Sequence, residues 1–134
     1  MPPLVLVVAA DPAAAASWAA VLHAAGYGVR TVTTLPQARA LLTTHRVAGV
    51  LFVAPRANHT VLACCAELRV LCGAPVVLLV VCPPAAAWLR VAALELGADD
   101  VVSVPVAAEE VLARLEAHLR RRASPGTPRP DRAD

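Results

Sequence analysis

The sequence predicts an α/β fold: a single three-layer α/β/α sandwich around a parallel five-stranded sheet. Five short apolar runs alternate along the chain with five segments of helical character, the pattern of repeated strand–helix units. The first of them, Leu4 to Val8, is continuously apolar, as a strand covered by helices on both faces requires. At 134 residues the chain suits one domain, large enough to bury a core without disulfides or metal.

Leu4 to Val8 is the first strand. Asp11 then offers a side-chain oxygen to the free N–H groups of a helix start. Pro12 fits the first helical position, where its missing N–H costs nothing. That helix runs through Ala13 to Ala25 until Gly26 stops it. A short strand follows at Val29 to Val32, and Thr34 caps a second helix from Leu35 to about Thr44, with Ala38, Leu41 and Leu42 on one face. Val47 to Ala54 is the third strand, broken by Pro55. The third helix, about Asn58 to Leu71, carries Val61, Leu62, Cys65 and Leu68 at core spacing. Val76 to Val81 is the fourth strand, bounded by Pro75 and Pro83, and a fourth helix from about Pro84 to Leu96 ends at Gly97. Val101 to Val104 is the fifth strand. The last helix, Glu109 to Arg122, places acids at its start and arginines at its end, complementing its dipole. Val111, Leu112, Leu115 and Leu119 bury its apolar stripe.

Residues 1–122 are therefore the folded domain. Residues 123–134, ASPGTPRPDRAD, are Pro-rich and polar and read as a disordered tail or the stub of a linker.

All 12 basic residues are arginine and lysine is absent, which excludes any chemistry that needs a lysine amine. Residues 1–119 hold seven Arg against eight acids, and residues 120–134 hold five Arg against two Asp. The near-neutral body lacks the clustered basic face of a nucleic-acid binder. No apolar run reaches the roughly 18 to 20 residues that span a bilayer, and LVLVVAA lacks the preceding positive charges of a secretory signal. The expectation is a cytoplasmic protein with no membrane contact. Cys64, Cys65, Cys72 and Cys82 show no CxxC spacing and no His placed to complete a zinc set. Cys64 and Cys65 would point about 100° apart on a helix. Cys82-Pro83 has no nearby His to support a haem site. Reduced, mostly buried thiols are expected, with no metal and no cofactor.

Right-handed crossovers and short loops favour the strand order 2-1-3-4-5, a flavodoxin-like (βα)5 arrangement. Ligand sites in such folds lie at the carboxyl ends of the central strands.

In LVLVVAADP, HAAGYGV, VLFVAP, APVVLLVV, and above all LELGADDVVSVP followed by EEVLARLEAHLRR, the chain resembles a two-component response-regulator receiver domain over residues 4–122. The last pair resembles the OmpR/PhoB branch. A working receiver takes a phosphoryl group onto an Asp at the end of its third strand. Acids after the first strand hold Mg²⁺, and a hydroxyl after the fourth strand and a Lys after the fifth contact the phosphoryl oxygens. The resemblance places the acid pair at Ala9 and Ala10, the phosphoacceptor at Val53, the hydroxyl at Val80, the lysine at Val104 and a switch aromatic at Val101. No Asp occurs between residues 12 and 98. Asp11 reads as a helix cap rather than an ion ligand, because one carboxylate alone holds Mg²⁺ poorly. Asp99 and Asp100 lie at the wrong end of the fifth strand to substitute. The expectation is a degenerate pseudo-receiver with no catalytic residue and no phosphorylation site, not an enzyme.

In the resembled branch, receivers dimerise through the fourth helix, fifth strand and fifth helix. The matching positions hold Arg90, Glu95, Asp99, Asp100, Glu110, Arg114 and Arg121, charges of kinds that can pair across a two-fold axis. Glu116 departs from the pattern, standing where a basic partner for Glu95 is expected. The expected partner is a protein, a second copy or another response regulator. DNA is expected only through an attached or partner domain, as in the N-terminal part of a DNA-binding regulator. An alternative is a small-molecule sensor whose pocket is lined by Ala9, Ala10, Val53, Val80 and Val104. Other candidates carry less. His23, His45, His59 and His118 stand on separate elements without a nucleophile, and Ser17 and Ser103 lack the Gly-flanked elbow of a serine hydrolase. Gly26-Tyr27-Gly28 is a turn rather than a nucleotide loop. Trp18 and Trp88 are expected to pack within the fold.

Overall fold

The computed structural model describes residues 2–123. The tail from residue 124 lies outside the described residues. The elements are β1 (Leu4–Ala9), α1 (Pro12–Ala24), β2 (Gly28–Val32), α2 (Leu35–Thr44), β3 (Gly49–Val53), α3 (His59–Cys72), β4 (Val77–Cys82), α4 (Ala87–Glu95), β5 (Asp100–Ser103) and α5 (Ala108–Ala123). All strand pairs are parallel, in the order β2-β1-β3-β4-β5. The predicted fold class and strand order are those observed.

Local chemistry accounts for the starts of the first three helices. The Asp11 carboxylate accepts from the Ala13 N–H at 3.0 Å, the Thr34 hydroxyl from the Gln37 N–H at 3.2 Å, and the Asn58 amide oxygen from the Thr60 N–H at 3.0 Å. Each satisfies a donor that a helix start leaves free. The fourth helix departs from expectation. It begins at Ala87 rather than Pro84, and its cap residue, Ala86, supplies no side-chain hydrogen bond. Ala85 packs against the core and its carbonyl accepts from the Arg90 guanidinium, which holds the chain ahead of the helix in a different path. Val47 is likewise buried ahead of β3 rather than within it.

Successive strand residues alternate between two apolar layers. Leu6, Val8, Val50, Phe52, Leu78 and Val80 pack with Ala38 of α2, Val61, Cys65 and Leu68 of α3, and Ala93 of α4. Val5, Val7, Ala9, Leu51, Leu79 and Val81 pack with Ala15 and Leu22 of α1 and with Val111 and Leu115 of α5. Among the described residues neither layer contains a buried polar residue. No helix among them is long and apolar enough to cross a membrane.

Gly97, just past α4, has φ +130°, and a Cβ there would lie 2.7 Å from the Arg69 Cβ. Only glycine fits both the backbone conformation and the approach of that arginine. The peptide bond between Val104 and Pro105 is cis.

Candidate functional site

The carboxyl ends of the strands are where this fold places ligands. Here they are alkyl. Ala9 ends β1, almost fully buried, and Val53 ends β3, half-buried in register with it. Val53 and Val104 pack with Ala9 on the α1/α5 layer. Val80 is fully buried on the other layer, where it is the register partner of Val101. Ala10 is exposed. The five positions therefore divide between both faces of the sheet and the surface, and do not line one pocket as the sensor reading requires. None bears a polar side chain. Asp11, the nearest carboxylate in sequence, is occupied as the α1 cap. Among the described residues there is no group of three His, Cys, Asp or Glu side chains placed to hold a metal ion.

The opposite end of the sheet holds a dense polar network. Arg69, on α3, donates from Nε and Nη2 to the Gly97 carbonyl at 3.0 and 2.7 Å, and from Nη1 to the Gly73 and Val76 carbonyls at 2.7 Å each. Its Nη2 also meets Asp99 Oδ2 at 2.9 Å, and that same oxygen accepts from the Leu78 N–H at 2.8 Å. Arg122, near the end of α5, bonds the other Asp99 oxygen and the Ala74 carbonyl. Asp99 thus ties α3, β4 and α5 together at the start of β5. The sequence reading placed Asp99 on a dimer face; the structure commits both its oxygens to partners inside the fold.

Of the remaining predicted residues, Asp100 of β5 and Glu110, Arg114 and Arg121 of α5 form one linked cluster. Asp100 sits at the centre, with Arg114 Nη1 at 3.3 Å and His118 Nε2 at 3.1 Å from its carboxylate. Arg114 also meets Glu110 at 3.1 Å, one helical turn away. Hydrogen bonding to Asp100, foremost, raises the Arg114 pKa above its ordinary value. Arg121 lies 3.4 Å from the free nitrogen of His118, and Arg90 and Glu95 are exposed on α4. Glu116, the departing position, pairs with Arg120 at 3.6 Å.

Two features of α4 and α5 escaped the sequence reading. Val91 and Leu94 of α4 are 53% and 45% exposed, and Ala113 of α5 is exposed as well, so both helices leave apolar side chains uncovered. Val91 and Leu94 stand three residues apart, outside the buried positions Leu89 and Ala93, so helical periodicity could have found them. His118 is not isolated but bonded to Asp100. Trp88, expected to pack, is 57% exposed beside the His59 ring, with centroids 5.7 Å apart.

The cysteines are free, with Cys65 and Cys82 buried and Cys64 and Cys72 half-buried. Burial pushes their thiols up, Cys65 to about 12, so they are poor nucleophiles and poor metal ligands.

No protein-family model matches the chain, and no curated protein sequence matches it. Solved structures do. A CheY-like response-regulator receiver domain protein from Methanospirillum hungatei superposes with a TM-score of 0.81 at 21% identity, over 94% of this chain and 100% of that one. An atypical orphan response regulator, described as having a phosphorylation-independent regulatory mechanism, gives 0.71 at 21% identity over 87% and 95%. The beryllofluoride-activated NtrC4 receiver domain dimer gives 0.76 at 19% identity over 89% and 98%. The chain has the fold of response-regulator receiver domains. Within that fold class, its strand ends carry alkyl groups at every position where the resemblance expected phosphoryl chemistry.

Proposed function

We propose that this chain is a phosphorylation-independent receiver module of two-component signalling, acting through protein contacts on its α4–β5–α5 surface rather than through phosphoryl transfer. The carrying observation is the contrast within one domain. The positions expected to bind Mg²⁺ and phosphate are Ala9, Ala10, Val53, Val80 and Val104, while α4 and α5 expose Val91, Leu94 and Ala113 and the same elements with β5 carry Arg90, Glu95, Asp100, Glu110 and Arg114, which we read as one apolar centre with a charged rim.

An apolar centre with a charged rim is the anatomy of a protein interface, and the rim charges set orientation more than affinity. The favoured partner is a second copy, since the surface carries both signs of charge and can satisfy itself across a two-fold axis. The NtrC4 receiver dimer is a precedent for self-association in this fold, and the atypical orphan regulator for control without phosphate. Any action on DNA runs through an attached or partner domain. The OmpR/PhoB-like face and a role in transcription regulation in the cytoplasm belong to this same reading.

Two measurements on the purified full chain test it. Incubation with acetyl phosphate and Mg²⁺ should leave the intact mass unchanged, and sedimentation at rising concentration should reveal a dimer that Arg114→Glu dissociates. A stable acyl-phosphate, or a monomer at all concentrations that Arg114→Glu leaves unaltered, refutes the reading.

A further inference from the structure

At the amino ends of β3 and β4, the α2–β3 and α3–β4 connections enclose a cleft of about 650 Å³. That is within the range of small-molecule sites, roughly 300 to 1,000 Å³. Leu42, Val47, Pro75 and Val76 give it apolar walls. Its charge is one-sided: Arg46 and His45 line it, and among the described residues no acidic one does. Arg46 has no ion-pair partner among the described residues. His45 Nδ1 lies 2.9 Å from the Thr44 hydroxyl oxygen.

One effect opposes an anion here. Both α2 and α3 end beside the cleft, and a helix C-terminus disfavours negative charge by about 0.3 to 1 kcal/mol. Those ends are blunted, however. The Thr43 and Thr44 hydroxyls donate to the Ala40 and Leu41 carbonyls, and Arg69 covers the Gly73 carbonyl. An exposed arginine–carboxylate pair contributes up to about 1 kcal/mol, enough to offset what remains of the dipoles, and the apolar walls supply the rest of the recognition.

We propose that this cleft binds a small organic anion, a carboxylate on an apolar body, with Arg46 holding the carboxylate and the Leu42–Val47–Val76 wall taking the body. The site lies at the opposite end of the sheet from the alkyl strand ends. Its wall also carries the Asp99 network, because the Val76 carbonyl accepts from Arg69, and Arg122 bonds the neighbouring Ala74 carbonyl; both arginines end on Asp99, next to Asp100. An occupant therefore sets the wall from which the start of β5 is held. Binding stands independently of the proposed function; an influence on self-association rests on it.

Octanoate is the probe, with octanol and octylamine as comparison arms, on the full chain. Cys72 lines the cleft and Cys64 does not, so their slow alkylation by N-ethylmaleimide at raised pH, where more of each thiol is ionised, read residue by residue by mass spectrometry, reports occupancy with an internal reference. Octanoate should slow Cys72 labelling about tenfold, equivalent to roughly 1.4 kcal/mol, and leave Cys64 unchanged. Octanol should protect less and octylamine not at all. Arg46→Glu and Arg46→Met, both at an exposed position, should abolish protection without altering the unfolding midpoint. Equal protection by all three amphiphiles, no protection by octanoate, or protection that survives both variants overturns the site. Sedimentation with octanoate tests the link separately: a changed dimer constant supports it, and an unchanged one beside protected Cys72 overturns the link alone.

Discussion

The two ends of the sheet have opposite characters. At the carboxyl ends of the strands, Ala9, Val53 and Val104 pack as hydrocarbon, and the Asp11 carboxylate is taken up as the α1 cap. At the amino ends of β4 and β5, Asp99 gathers two guanidiniums and a backbone N–H within one clamp. In this chain charge persists where it holds segments together and is missing where the fold would otherwise hold a charged ligand. A cluster of acids facing one another destabilises the empty fold by repulsion, a cost that these alkyl side chains avoid. The clamp differs because both guanidiniums share the Asp99 carboxylate and each bonded carbonyl has its donor.

Four substitutions break or sharpen that contrast, in falling order of effect. Asp99→Ala should be the most damaging, costing about 3 kcal/mol in urea unfolding, because Arg69 and Arg122 lose their counter-charge and the Leu78 N–H its acceptor. A loss under about 1 kcal/mol would show that water replaces Asp99 and that the clamp is a surface feature. Gly97→Ala should cost about 2 kcal/mol, through its positive φ and the 2.7 Å approach to Arg69; a thermal midpoint equal to the parent's would contradict the close packing described. Val53→Asp should cost about 1 to 2 kcal/mol, since it sets a half-buried carboxylate against the apolar layer that contains Ala9. It should also gain no phosphoryl group from acetyl phosphate, because Ala9, Ala10 and Val104 are unchanged. Stable acylation of that variant would show that the rest of the site still functions. Arg114→Glu should change folding stability by less than about 1 kcal/mol, its pairs being exposed. It should still weaken self-association about tenfold by sedimentation, the scale of a rim charge reversed at an interface.

Much of the fold could be read directly. Asp11, Thr34 and Asn58 cap helices by bonds spanning two or three residues, and such local bonds leave their mark in adjacent sequence. The continuous valine and leucine runs named the strands, and the Gly26 and Gly97 stops ended helices where expected. The start of α4 was misplaced because what shapes residues 83–86 is packing of Ala85 and the reach of Arg90 back to its carbonyl, neither of which is a cap or a period. The candidate site was legible in its residue types and less so in its grouping. Val80 and Val53 looked like neighbours in an apolar mouth, but strand alternation sends them to opposite layers. Trp88 fell within a helix as predicted, yet turned outward onto His59.

By itself, the sequence determined which chemistry is absent: with no lysine, and no Asp between residues 12 and 98, no arrangement of the chain can assemble the expected phosphoryl site. It also determined the architecture, since apolar period and capping act over a few residues and five strand–helix units have few ways to pack. The tertiary structure alone decided which charges work together. Arg69 and Asp99 are 30 positions apart, as adjacent as Asp100 and Arg114 once the crossovers close, and only the register of β4 on β5 settles that Asp99 turns inward to the clamp while Asp100 faces the outer surface. Pairing of that kind depends on distances set by the whole sheet, which no local pattern encodes.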